Sequence, residues 1–242
     1  MATYVAYFFS LIYNKSMKTK SDAFIELAKL FSSHNYRLYL VGGTVRDILL
    51  GLPLTDMDAV TDATPEEMKT FLEGDYTFAK MGSVKIKYND VKFDITTLRK
   101  ETGYVDHRHP GNVVFIKDIK LDHIRRDFTI NAMYMDEHFK LYDFENGLDD
   151  LNNHVLKMVG NPTKRLKEDP LRIIRCLRFS LTYQLAISPS LEKALMSSIK
   201  FLESLSKDKI KMELKKFDSK QKEEMEAIFE KYSIKHLLDM LE

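Results

Sequence analysis

The stretch from Gly42 to Asp58, GGTVRDILLGLPLTDMD, constrains the fold of this chain more than any other. The run Arg37 to Val41 ahead of it (RLYLV) is short and apolar and ends at Gly42-Gly43, which marks a buried strand running into a turn. A helix beginning near Thr44 and spanning Val45 to Leu50 follows and stops at Gly51. The chain then passes Pro53 and enters a second strand through Thr55 to Val60. Two glycines at a strand end let backbone N–H groups turn outward, and the positive end of the next helix points at the same place, so the turn is a seat for phosphate. Arg46 offers a charged fork to it. Side chains in a strand alternate, so Asp56 and Asp58 share one face. Two neighbouring carboxylates repel each other and resist burial, and they are stabilised by sharing divalent cations, for which hard oxygen ligands favour Mg²⁺. A phosphate seat beside a metal pair suggests phosphoryl transfer. Gly-Gly or Asp-x-Asp alone is more often structural than catalytic; their order and spacing within one strand-turn-helix-loop-strand unit carry the reading.

A chain of 242 residues, 44% hydrophobic and 30% charged, has enough apolar surface for one large or two small globular domains. A net charge of +1 means that any nucleic-acid surface must be a local basic patch. A single cysteine, Cys176, excludes an internal disulfide and a cysteine-based zinc site. It suits a reducing, cytoplasmic compartment, and it falls in a helical apolar stripe as core filler. The opening MATYVAYFFSLIYNK is too short to span a bilayer and lacks a basic leader and a small-residue cleavage site, so it reads as an extra strand or helix, with Met17 as an alternative start. No membrane segment is expected.

Further along, Ser21 or Asp22 is expected to cap a helix with Phe24, Leu27, Ala28 and Phe31 on its apolar face. Thr64-Pro65-Glu66-Glu67 starts another, ending by Gly74. Strands are expected over Tyr76 to Lys80, Val84 to Tyr88 and Val91 to Thr97, the last two joined by Asn89-Asp90 as a hairpin. Asp94 reads equally as a third active-site carboxylate or as a solvated strand residue. Arg99 to Asn112 is polar, without periodicity, and reads as a loop, and its His107 and His109 lack metal-ligand spacing. Leu121 to Met135 reads as helix, with Asp127 near its middle or at the start of a second helix after Arg126, followed by strands over Phe139 to Phe144 and Val155 to Val159. From Pro162 the pattern is helical, with Glu168-Asp169-Pro170 opening a helix on which Arg172, Arg175 and Arg178 share a broad face. They are candidates to grip phosphate or read base edges, with a solvated helix face as the plainer reading, above all for Arg178. The segment from Ser206 onward carries nine Lys and nine Asp/Glu, a balanced surface.

The sequence GG-x-x-RD, a short helix and D-x-D resembles the signature of the polymerase-β-like nucleotidyltransferases. Among these it is most similar to the class II tRNA CCA-adding enzymes and bacterial poly(A) polymerases. Five segments match in family order. The resemblance implies that Gly42, Gly43 and Arg46 meet a nucleoside triphosphate and that Asp56 and Asp58 hold two metal ions. It implies that Arg126, Asp127 and Asn131, within Arg125 to Met133 (RRDFTINAM), belong to a ribose-recognition motif with Asp127 at the 2′-hydroxyl. Asp143 to Leu151 resembles the hinge between head and neck. Glu168-Asp169-x-x-Arg172 looks like the amino-acid template in which Asp169 and Arg172 present an edge to incoming CTP or ATP. Ser206 to Leu214 resembles the last neck motif, with Asp208-Lys209 where Glu-Arg is usual. The implied fold is α+β: a nucleotidyltransferase head with a mixed or antiparallel sheet and flanking helices, then an all-α neck, with body and tail largely absent. The expected division is an N-terminal extension over 1–20, a head over 21–145 and a neck over 146–242.

The implied activity is addition of CCA to tRNA 3′ ends from CTP and ATP, with Mg²⁺ as cofactor. Self-association or a partner chain would complete the grip on tRNA. A-adding, CC-adding and poly(A)-adding enzymes share the five motifs; the intact segment Arg99 to Asn112 favours CCA or A addition, and a basic C-terminal extension is lacking for poly(A) addition. A non-catalytic RNA-binding relative is expected to have lost Asp56 or Asp58, and both are present. Missing Gly-Lys-Ser/Thr and G-x-G-x-x-G patterns exclude a P-loop ATPase and a dinucleotide enzyme.

Overall fold

The structure, a computed structural model, describes residues 15–104 and 110–241. The expected N-terminal strand or helix of the first fourteen residues therefore lies outside the described residues. Two compact units are present. Of the described residues, the first comprises 15–100, 113–125 and 131–145; the second comprises 101–104, 110–112, 126–130 and 146–241. Among the described residues no helix is long and apolar enough to cross a membrane.

The first unit is built on a six-stranded sheet. In chain order its strands are β1 (Leu38–Val41), β2 (Met57–Thr61), β3 (Ser83–Tyr88), β4 (Val91–Thr97), β7 (Met133–Met135) and β8 (Leu141–Asp143). They lie in the order β3-β4-β2-β1-β7-β8, and the sheet is mixed: β2 and β4 run parallel and the other neighbours antiparallel. The unbroken apolar run of β1 is buried at all four positions, as a strand covered on both faces requires. Helix α1 (Lys15–Ser33) buries Phe24, Leu27, Ala28 and Phe31. A separate cluster of Tyr39, Val41, Val60, Leu98, Ile119 and Tyr134 forms another part of the core. Because 15–20 holds no glycine or proline, α1 starts upstream of the expected cap, and Ser21 and Asp22 sit inside it.

Local signals place the other elements of this unit. Helix α2 (Gly43–Leu50) ends on Gly51 in the left-handed conformation. Thr64 and Glu67 form a reciprocal capping box around Pro65, but the resulting helix α3 (Pro65–Met68) lasts a single turn. Gly74, beyond it, allows the chain to close on β3: a Cβ there would meet Ile86 Cγ2 at 2.7 Å and the Lys85 carbonyl at 2.8 Å. Asn89 and Asp90 both take positive φ, the two-residue turn that matches strand twist, so the expected hairpin forms.

Three expectations change. Tyr76 to Lys80 is not a strand: the Asp75 carboxylate accepts from both the amide and hydroxyl of Thr77, bending the chain into a turn before a 3-10 turn at Ala79–Met81. Arg99 to Asn112 is not a simple loop, since β5 (Arg99–Tyr104) pairs with β6 (Pro110–Phe115) as a two-stranded ribbon. Leu121 to Met135 is not one helix but a turn of α4 (Ile119–Asp122), two 3-10 turns and strand β7. Its backbone groups find distant partners: Thr129 N–H donates to the Lys157 carbonyl, and the Asp127 carbonyl accepts from Val159 N–H.

The second unit is mainly helical. After α5 (Gly147–Asn152), the expected strand over Val155 to Val159 shrinks to β9 (Val155–Leu156), which pairs in parallel with β10 (Ala186–Ile187). Helices α6 (Pro162–Glu168), α7 (Leu171–Thr182), α8 (Pro189–Ser198), α9 (Lys207–Leu214) and α10 (Lys222–Lys231) follow. Their core holds Ile174, Cys176, Leu177, Leu195, Ile210, Leu214 and Phe229. Burial pushes the Cys176 thiol well up, consistent with filler. Glu168 closes α6 instead of opening the next helix. Asp169 lies in extended backbone between the two and accepts the Leu171 amide at 3.1 Å.

Candidate active site

In the first unit the glycine turn and the carboxylates converge. Gly42 sits at φ 63 and ψ −125, a conformation that a side chain strains, and it launches α2 directly from β1. Thr44, buried at the start of α2, accepts the backbone N–H of Asp58 at 2.7 Å and so ties the turn to β2. Gly43 lies in the gap between a guanidinium and a carboxylate: a Cβ built on it would stand 3.4 Å from Arg46 Nη2 and 3.6 Å from Asp58 Oδ2.

Asp58 is exposed while Met57, Ala59 and Val60 are buried. Asp56 is exposed immediately before β2, so it joins Asp58 from the strand's entry and not from within the ladder. Asp94 occupies the register position opposite Asp58 on the parallel strand β4, with Phe93 and Ile95 buried on the other face. Its Oδ1 accepts the Ser83 hydroxyl at 2.8 Å. These are hard oxygen donors, two of them exposed to solvent, a donor set that suits a hard divalent cation. Among the described residues no group of three or more His, Cys, Asp or Glu is drawn into a ready metal cage.

Arg46 is nearly buried, at 5% exposure. It binds Asp47 at 2.9 Å and donates to Asn131 Oδ1, so it braces α2 against the residues ahead of β7. The sequence pattern marks both Arg46 and Asn131 but not this bond, because they lie 85 positions apart.

In the second unit a different set is assembled. Arg175 donates from Nε and Nη2 to one oxygen of Asp127, whose other oxygen accepts the Phe128 amide. Arg178, weighed above as a solvated helix face, is instead paired with the buried Glu213 at 2.8 Å, and Arg175 lies 3.8 Å from the same carboxylate. Burial alone would raise Glu213, but Lys216, Arg175 and Arg178 outweigh it and hold the group below the ordinary carboxylate range. Burial would lower Arg175, yet Asp127 and Glu213 leave it raised; for Arg178 burial wins and the value is lowered.

Arg172 is buried and donates to the Arg165 carbonyl at 2.9 Å, with Glu168 and Asp169 oxygens at 3.8 and 3.9 Å. Asp169 and Arg172 are thus neighbours at the junction of α6 and α7. Arg126 contributes its carbonyl to Arg165 Nη2 at 2.8 Å. Glu213 carries no individual mark in the sequence, although it lies inside the stretch that resembles the last neck motif; a lone acid in an apolar stripe is the one available signal. His107 and His109 lie outside the described residues.

A mixed sheet with a glycine turn, a short helix and strand carboxylates, followed by a helical unit, defines the head of an α+β nucleotidyltransferase. The poly A polymerase head domain family matches residues 38–157. The chain is 39% identical over 191 residues to the CCA-adding enzyme of Staphylococcus epidermidis, covering 78% of this chain and 48% of that one. The Bacillus stearothermophilus CCA-adding enzyme in complex with CTP superposes with a TM-score of 0.74 at 30% identity, over 80% of this chain and 47% of that one. A tRNA nucleotidyltransferase complexed with a primer tRNA and an incoming ATP analog gives 0.73 at 30% identity, over 89% and 62%. Residues 38–157 place the chain in the poly A polymerase head domain family. It spans about half the length of the curated relatives it matches.

Proposed function

We propose that this protein adds CCA to tRNA 3′ ends from CTP and ATP, releasing pyrophosphate at each step, with an amino-acid template in place of a nucleic-acid one. The observation that carries the reading is the in-register pair Asp58 and Asp94 beside the Gly42-Gly43 turn. The relatives named as CCA-adding enzymes support the choice of product. Asp56 and Asp58, with Asp94 beside them, would hold two Mg²⁺ ions, which supply charge stabilisation at the transferring phosphoryl group when bound. Backbone N–H groups of the glycine turn and the start of α2 bind and orient the triphosphate. Asp127, held in place by Arg175, accepts the ribose 2′-hydroxyl, with Arg126 and Asn131 in the same motif. Asp169 as acceptor and Arg172 as donor fork present a complementary edge to cytosine, and a small rotation serves adenine. Arg175 and Arg178 act through Asp127 and Glu213 and not by direct contact with phosphate. We assign the head to 21–145 and the neck to 146–242, and tRNA, CTP and ATP as partners, with self-association or a partner chain completing the grip on tRNA.

The test is incubation of the chain with Mg²⁺, CTP and ATP on tRNAs ending before CCA, after C and after CC, followed by 3′-end sequencing. Products ending at CCA on all three support the reading. A single A added only to the CC-ended tRNA, addition that stops at CC, or a long A tract would replace it with an A-adding, CC-adding or poly(A)-adding activity; no addition would overturn it.

A further inference from the structure

We infer that Lys20 is a positioning residue for the Asp56 and Asp58 carboxylates, an inference that rests on reading that pair as the metal site. Lys20 belongs to α1, which ends before the matched head domain begins at residue 38. Its ammonium group donates to the carbonyl of Leu54 and, at 3.2 Å, to that of Thr55. These are the last two carbonyls before Asp56. A peptide unit is planar, so holding the Thr55 oxygen fixes the plane that ends at the Cα of Asp56, and holding the Leu54 oxygen fixes the plane before it.

Beyond the buried side chain of Leu54 and the bond from the Leu52 amide to the Asp47 carbonyl, the segment has little regular support. Leu52, Pro53, Thr55 and Asp56 are exposed, and the ladder of β2 with β4 begins at Met57 opposite Phe93. Ammonium-to-carbonyl bonds are charge-assisted and stronger than neutral ones. Lys20 is itself well placed, because Ala23 and the fully buried Phe24 anchor the next turn of α1, with Phe24 packed on Phe139. The same helix reaches the other carboxylate strand. Glu26 accepts from Asn89 Nδ2 at 2.6 Å, and Asn89 sits in the turn that joins β3 to the strand of Asp94. One helix outside the matched domain therefore braces the approaches to both carboxylate strands.

The experiment compares wild type, Lys20→Met and Lys20→Arg by thermal unfolding, by Mn²⁺ titration followed by electron paramagnetic resonance, and by nucleotide incorporation. Lys20→Met is expected to keep its Tm within a few degrees, to weaken Mn²⁺ binding about tenfold, as loss of a group that orients metal ligands does, and to lower kcat with little change in the KM for CTP. Lys20→Arg is expected to restore most of both. Mn²⁺ binding by Lys20→Met equal to wild type, failure of Lys20→Arg to rescue, or a loss that merely follows a fall in Tm would each overturn the inference. The titration uses no substrate, so wild type that binds Mn²⁺ without transferring nucleotides counts against the proposed function while the variants still decide the role of Lys20; wild type that binds no Mn²⁺ overturns both.

Discussion

Asp58 and Asp94 occupy the same register position on neighbouring parallel strands, β2 and β4. Paired strands lie about 4.8 Å apart, so two like charges on one face of such a pair repel each other. The fold tolerates this because Asp58 is exposed to solvent, with Asp94 steadied by Ser83.

Neutralising one member tests the arrangement. Asp58→Asn is expected to abolish nucleotide transfer while leaving Tm equal to or slightly above that of wild type, because it removes repulsion without removing volume. Asp56→Asn is expected to do the same. Calorimetry and a primer-extension assay check both, and substantial residual transfer would take these residues out of the metal site.

The two glycines should separate. Gly42→Ala forces a side chain into φ 63, ψ −125 and is expected to cost about 1–3 kcal/mol of stability. Gly43→Ala meets Arg46 and Asp58 only at ordinary contact distances, so its Tm should stay near that of wild type. The new methyl group stands beside Asp58 where triphosphate is proposed to bind, and CTP affinity by calorimetric titration is expected to fall.

Arg172→Lys keeps the cation but loses the planar donor fork. It is expected to incorporate wrong nucleotides and lose discrimination between CTP and other triphosphates, with Mn²⁺ binding unchanged. Sequencing of single-turnover products reads this directly.

Glu213 carries a pH dependence. Its folded-state pKa is depressed, so the stability it contributes is present above the ordinary carboxylate range and is lost as pH falls through the folded value. Glu213→Gln leaves Arg175 and Arg178 without their shared anion and is expected to lose about 3 kcal/mol near pH 7. Against wild type, its chemical-denaturation profile should be flatter on the acid side of pH 5.

Much of the head was legible because its signals are local. Gly42, Gly51, the Asn89-Asp90 turn and the Thr64 capping box act within a few residues of themselves, and each appears where the sequence places it. Leu121 to Met135 misled because an apolar stripe beside arginines satisfies a helical period, whereas Asp127 and Thr129 bond to residues 157 and 159 and leave no helical ladder. The ribbon of β5 and β6 gave no signal because neither strand has the alternation that one buried face imposes.

The sequence by itself determined the order of elements, the glycine turn and which residue types stand at the candidate site. Tertiary structure decided their partners: that Asp94 would register against Asp58, that Arg178 would meet Glu213 and not water, and that Lys20 would reach the carbonyls ahead of Asp56. Turns and caps are closed by bonds a few residues long, and their preference is written in the residues that make them. Pairings across 34 to 36 positions form only once the core has fixed which faces meet, and that depends on the packing of the whole unit.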